Sequence, residues 1–227
     1  GAASQCFATA RVQMVTLVGP TRIPWIGAAS RNPHAVDHIM GMPAAVTSWT
    51  VEMLDALEDD GQRYELIDGE LFVSPAPSNL HQLVAGEFFA RLREYLRPLK
   101  VGRALFSPAD VRRPDRRRNR VQPDVFVVRL TDGKHPAYPY DLSDLLLAIE
   151  VESPGNPELD YRVKRSLYVK HGVPEYWVVN PAAQIVSRFR DLNDPSEVFS
   201  QRITWQAPGI PDPLVVDLPA LFHEALG

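Results

Sequence analysis

A chain of 227 residues, 45% apolar and 23% charged, has material for one ample domain with a core that needs no covalent staples. A net charge of −4 excludes a wholly basic coat for nucleic acid but leaves room for a local basic patch, and the single Cys6 excludes both an internal disulfide and a cysteine-rich zinc site. No apolar run approaches a membrane span and no secretory signal pattern is recognisable, so the expected location is cytoplasmic, away from membranes.

Residues 1–44 are broken by prolines and carry no sustained periodicity. They read as an N-terminal extension, a mobile arm or a remnant of processing, with Met42 resembling a natural start. The folded domain is expected over 45–227. A short helix is predicted over 47–60, with Thr47, Ser48 or Thr50 as cap and Val51, Leu54 and Leu57 as its stripe. Tyr64–Ile67 and Glu70–Ser74 form a hairpin around Asp68-Gly69. Ser78 caps a long helix to Arg97, with Leu80, Val84, Phe88, Leu92 and Leu96 on one face.

Strands follow at 101–106, 121–128 and 144–151, with a basic loop, RRPDRRRNR, over 112–120. A helix over 157–171 stops at Gly172. Strands at 175–180, 184–190 and 198–205 precede a terminal helix over 218–226, capped by Asp217. Interleaved helices and strands of this kind give an α/β (α+β) domain, a mixed sheet flanked by helices, with central strands apolar on both faces.

The chemistry concentrates where apolar strands end in acids. In LLLAIEVESPG, alternation puts Glu150 and Glu152 on one face with Leu146 and Ala148. Buried carboxylates side by side repel and lose hydration unless they are paired, protonated or bound to a cation. A hard divalent ion, Mg²⁺ or Mn²⁺, answers that difficulty. In VQPDVFVV, Asp124 shares a face with Phe126 and Val128. If the two strands are neighbours, Asp124 and Glu150 converge on one ion. On the next helix, Asp160, Lys164, Tyr168 and His171 fall on one side. From there a lysine can orient water or stabilise a phosphoryl oxygen.

These residues resemble the PD-(D/E)XK nuclease superfamily, and more closely the bacterial Uma family of restriction endonucleases. The resemblance rests on YELIDGEL (64–71), SPAPSNLHQ (74–82), QPDV (122–125), IEVESP (149–154), the spacing Asp160, Lys164, Tyr168, and GVPEYWVVNP (172–181). It covers about residues 47–223. It implies a restriction-endonuclease-like fold in which Asp124 and Glu150 bind Mg²⁺ or Mn²⁺ and Lys164 stands for the superfamily lysine. It further implies metal-dependent hydrolysis of DNA phosphodiesters and, by analogy with many nucleases, a homodimer. Glu152 departs from the family pattern by placing an acid where the usual E-x-K lysine would stand. It is expected either to add a metal contact or to pair with Lys164 or Arg165.

The remaining candidates each carry two readings. His81 sits where the family carries a histidine, near metal-bound water or phosphate, or else is a buried hydrogen-bonding residue. Glu70 completes the acidic pocket or faces solvent. Arg112, Arg113, Arg116, Arg117 and Arg118 grip phosphates or form a solvated loop. The alternative function is a non-catalytic nucleic-acid-binding or assembly module on the same fold. A third is a hydrolase of small phosphoesters, with a pocket too narrow for DNA.

Overall fold

Valine-, leucine- and aromatic-rich runs build the centre of the molecule. In the computed structural model, residues 48–58, 60–74, 76–113, 117–153, 157–193 and 195–227 are described. The N-terminal extension, with Cys6 and Met42, and Arg116 of the basic loop lie outside the described residues. In chain order the elements are α1 (Val51–Asp55), β1 (Arg63–Ile67), β2 (Glu70–Ser74), α2 (Asn79–Leu96), β3 (Gly102–Phe106), β4 (Val111–Arg112), β5 (Arg120–Val121), β6 (Val125–Arg129) and β7 (Tyr140–Asp141). They continue with β8 (Leu145–Val151), a π-helical turn (Leu159–Lys164), α3 (Arg165–Lys170), β9 (Tyr176–Asn180), β10 (Ile185–Phe189), β11 (Glu197–Phe199), β12 (Arg202–Trp205), β13 (Leu214–Asp217) and α4 (Leu218–Leu226).

The strands divide among three sheets. The central one has the order β11-β10-β9-β8-β6-β3, a smaller one the order β2-β1-β5-β4-β7, and β12 pairs with β13. β8 is buried along its whole length. It runs antiparallel to β6, with Val125 opposite Ile149, and parallel to β9, with Ile149 opposite Trp177. The parallel pair requires a crossover, which the π turn and α3 supply.

Each face of the central sheet has its own cover. On one side Val84, Phe88, Leu92 and Leu96 of α2 and Leu218, Leu221 and Phe222 of α4 pack against Leu147, Ile149, Val151 and Trp177. On the other, Leu167 and Tyr168 of α3 join Phe126, Val128, Ala148 and Tyr176, with Ile67, Val111 and Val121 arriving from the small sheet. Burying a side chain such as Phe88 or Phe126 stabilises by about 1.5–3 kcal/mol. One expected face assignment changes. A bulge opposite Val127 and Val128 makes Leu146 an extra residue in β8. Leu146 therefore packs on the α2 side, while Ala148 stays on the α3 side.

The hairpin turn is held from outside. Asp68 and Gly69 both take positive φ, 50° and 85°, the geometry a two-residue hairpin favours. A Cβ at Gly69 would be strained by its φ and would push the Ser48 hydroxyl and the Arg118 guanidinium out of place, so glycine is favoured there. Arg118 Nη2 donates to the Asp68 carbonyl at 2.6 Å, and the Gly69 amide donates to the Arg118 carbonyl at 3.0 Å. This latch ties the hairpin turn to the segment that leads into β5, the neighbour of β1 in the small sheet.

Candidate active site

Four elements meet at one end of β8. Because Val125 pairs with Ile149, the residue before β6, Asp124, comes beside Glu150. Asp124 Oδ2 accepts from the Val151 amide at 2.9 Å and lies 2.9 Å from His81 Nε2. Ser78 caps α2 by accepting from the His81 amide, which holds His81 in the first turn and sends its ring toward the acid. An ionised Asp124 can only accept, so Nε2 carries the proton in this pair.

Glu150 is held by two groups from the crossover. Tyr168 donates its hydroxyl to Oε1 at 2.8 Å, and Lys164 Nζ lies 3.1 Å from Oε2. Lys164 also reaches Glu65 Oε2 at 3.0 Å and Asp160 Oδ1 at 3.8 Å. The π turn widens the helix where Asp160 and Lys164 sit, and both are buried. Such turns often accompany functional sites.

The small sheet contributes a pair that the sequence reading did not single out. Glu65 of β1 is completely buried. Its Oε1 accepts from the Gln122 amide at 2.8 Å. Arg63 spans the acids: Nη1 bonds Asp124 Oδ1 at 2.9 Å, and Nη2 lies 3.3 Å from Glu65 Oε1 and 3.9 Å from Glu150 Oε2. Nη2 also donates to the Gln122 carbonyl. A signal for this pair exists in RYELI. Alternation puts Arg63 and Glu65 on the same face as Ile67, which packs in the inner core.

Charge in this cluster is unbalanced. Four carboxylates, Glu65, Asp124, Glu150 and Asp160, face two permanent cations, Arg63 and Lys164. Burial pushes the Asp124 carboxyl up, but the His81 hydrogen bond and the Arg63 charge outweigh it and hold Asp124 well below the usual carboxylate range. Burial also opposes ionisation of Glu65, and the charges of Arg63 and Lys164 overcome it, leaving the carboxyl lowered. The surplus falls on the other two. Burial raises Glu150 well above its ordinary value; Lys164 pulls it down, while Asp124 and Glu65 add to the rise. Burial likewise raises Asp160 to about 6, again against Lys164 and with Asp124 and Glu65. Desolvation disfavours the Lys164 ammonium, yet the charges of Glu150 and Glu65 raise its pKa and keep it protonated.

The other sequence candidates lie elsewhere. Glu70 is exposed beside the hairpin turn, opposite Ile67, and outside the cluster. Glu152 accepts from Asn180 Nδ2 at 2.8 Å on the next strand, and Lys164 turns to Glu65 and Glu150 instead. Three described arginines of the basic loop make pairs within the chain: Arg112 with Asp55 and Asp110 at 3.1 and 3.0 Å, Arg117 with Glu52 at 3.2 Å, and Arg118 with the hairpin turn. Arg113 is half-buried.

A cleft of about 960 Å³ reaches this cluster. Arg63, His81, Gln122 and Asp124 line it, with Phe89 and Phe106 on one wall and Asp55, Glu58 and Asp60 on another. Glu65, Glu150 and Lys164 are not among its lining residues.

Among the described residues, no three histidine, cysteine, aspartate or glutamate side chains stand as a ready metal cage; Arg63 and Lys164 sit between the acids. The donor chemistry nevertheless fits a hard divalent ion. The acids are oxygen donors, their surplus equals one doubly charged ion, and buried Glu65 Oε2 meets Lys164 without a well-aligned hydrogen bond. Asp124, Glu150 and Glu65 are the residues that could hold it.

A mixed sheet flanked by helices, with acids at adjoining strand ends and a lysine from the following crossover, defines a restriction-endonuclease-like fold. Residues 51–219 match the family model Uma2, described as "Putative restriction endonuclease", and the chain belongs to this family. The fold is similar to the crystal structure of "a putative nuclease belonging to DUF820" from Anabaena variabilis, with a TM-score of 0.64 and 19% identity over 78% of this chain and 99% of that one. No protein of curated function matches the sequence. Among the described residues, no helix is long and apolar enough to cross a membrane.

Proposed function

We propose that the chain is an endonuclease that hydrolyses DNA phosphodiester bonds with the help of Mg²⁺ or Mn²⁺. The observation that supports this reading is the buried meeting of Asp124, Glu150, Glu65 and Lys164 beside a cleft, with more carboxylate than cation. Asp124, Glu150 and Glu65 would hold the ion, which when bound supplies an activated water and Lewis acidity at the phosphoryl group.

The chain's own residues prepare that chemistry. His81 and the Val151 amide fix one oxygen of Asp124, and Tyr168 fixes one oxygen of Glu150. Lys164 offers a charge that stays protonated, suited to orienting water or to stabilising developing negative charge on phosphate. His81 faces the cleft while touching Asp124, so it can meet substrate and order that acid together.

Plasmid DNA incubated with Mg²⁺ or Mn²⁺ should be cut by the native chain and left intact by Asp124→Asn and Glu150→Gln. Equal cutting by all three proteins would refute the assignment. One observation favours the rival module that binds nucleic acid without cutting it: Arg63 and Lys164 already neutralise part of the acid cluster. That module would show salt-sensitive DNA binding and no turnover with either ion. Cutting both strands suits two subunits working together, which light scattering in solution would report.

A further inference from the structure

Arg63 stands between the cleft and the deeper acids. It lines the cleft with His81 and Asp124, whereas Glu65, Glu150 and Lys164 lie behind. Its side chain is 19% exposed, against 0% for Glu65, 2% for Glu150 and 4% for Lys164. A single guanidinium thus touches every carboxylate assigned above to the ion, and it is the cation of the cluster with a route outward. Two further facts bear on how firmly it is seated. Both Nη atoms are engaged, but Nε is buried without a hydrogen-bond partner, so the seat satisfies the side chain incompletely. The cleft wall also gives phosphate few other anchors: Arg120 is tied to Asp55 and Asp110 at 2.9 and 3.0 Å, and Asp55, Glu58 and Asp60 are acidic.

Resting on the metal reading of this site, we propose that Arg63 is a gate. Without substrate its guanidinium occupies the position a divalent ion needs. When a DNA phosphate enters the cleft, the guanidinium turns to it and frees Asp124, Glu65 and Glu150. Guanidinium and metal ion compete for the same oxygens, and phosphate and carboxylates compete for the same guanidinium. The two competitions make the ion and the nucleic acid bind cooperatively, because each is favoured by the same rearranged state. The gate would also keep the acids away from adventitious cations while no substrate is present.

Isothermal titration of Mn²⁺ alone into the native chain, Arg63→Gln and Arg63→Lys tests this. The Gln variant should bind Mn²⁺ about tenfold or more tightly than the native chain, since the cost of vacating the seat is gone. Arg63→Lys keeps a charge at the seat and should stay close to native. Adding a phosphorothioate oligodeoxynucleotide should strengthen Mn²⁺ binding to the native chain and leave Arg63→Gln nearly unchanged. If the Gln variant is too unstable for calorimetry, the rise in its melting temperature with Mn²⁺, compared with the native chain's, gives the same comparison. Equal or weaker Mn²⁺ binding by Arg63→Gln overturns the gate and leaves the metal reading intact. Absence of Mn²⁺ binding in every protein, with and without oligonucleotide, overturns both.

Discussion

Replacing Asp160 by asparagine should stabilise the protein at neutral pH, by an amount that vanishes in acid. Asp160 is buried, its nearest cation is 3.8 Å away, and the Tyr176 hydroxyl bonds to its backbone carbonyl, not to its carboxylate. Ionisation in the fold is therefore opposed, and the carboxyl is raised from 3.8 to about 6, first by burial and then by Asp124 and Glu65 against the pull of Lys164. The unfolded chain releases this proton near pH 3.8, the folded chain only near 6. Between those values the unfolded state holds fewer protons, so stability falls as pH rises. The full penalty, about 3 kcal/mol, is present above about pH 7. Asparagine has the same shape and no charge. Its amide adds a cost of its own, but that cost is the same at every pH and cancels when two pH values are compared. Thermal unfolding of both proteins at pH 4 and pH 8 reads the difference directly. At pH 4 the unfolded carboxyl is already partly ionised, so about 2.4 kcal/mol separates the two conditions. For a chain of this size each kcal/mol shifts the melting temperature by about 2–4 °C, and the variant's advantage should grow by about 5–10 °C. An advantage that is flat with pH, or largest in acid, would refute this account of the surplus charge.

Other substitutions probe different parts of the same design. Lys164→Met should lose about 3–5 kcal/mol in urea unfolding at neutral pH, because the buried Glu65 and Glu150 would lose their shared ammonium and keep only Arg63, 3.3 and 3.9 Å away; it should also lose DNA cutting. Tyr168→Phe removes the hydroxyl on Glu150 Oε1 and should cost about 1–3 kcal/mol in the same unfolding measurement. Gly86→Ala should raise stability by about 0.5–1 kcal/mol in thermal melts, since Gly86 lies inside α2 and a Cβ there meets nothing within 4 Å.

Much of the fold is legible because its periods are strong. The α2 stripe Val84, Phe88, Leu92 and Leu96 is buried as the spacing predicts, while Leu80 at the helix start is 37% exposed. Asp68-Gly69 announces its hairpin through local turn chemistry, and the structure places Asp217 as the cap of α4. The division into two main sheets is not legible, because β4, β5 and β7 have only two residues each and no pattern shorter than a full alternation can be read. The bulge at Leu146 is hidden for a related reason. In a run as uniformly apolar as LLLAI, inserting one residue changes which face a leucine takes without changing the pattern.

The candidate site divides along the same line. Asp124 and Glu150 stand out because each is a charge at one end of a strongly apolar strand, and Lys164 because it shares one side of the next helix with Asp160 and Tyr168; the structure gathers all three. Glu65 carries the same signature over a shorter run, and its partner Arg63 disguises it as an ordinary surface pair. Glu70 offered the neighbouring acid of the same hairpin, but residues facing the sheet interior alternate, and Glu70 sits at the turn where β2 has not yet entered the core. Glu152 continues the face of Glu150, yet one step beyond β8 it meets Asn180 of β9 and Tyr161 of the π turn instead of Lys164. Carrying the ammonium on the π turn brings it between Glu65 and Glu150, so it joins an acid of the small sheet to an acid of the central one. In this chain the helix-borne lysine and the buried Glu65 support each other: Glu65 joins Glu150 in offsetting the burial of the ammonium, and Lys164 joins Arg63 in offsetting the burial of Glu65.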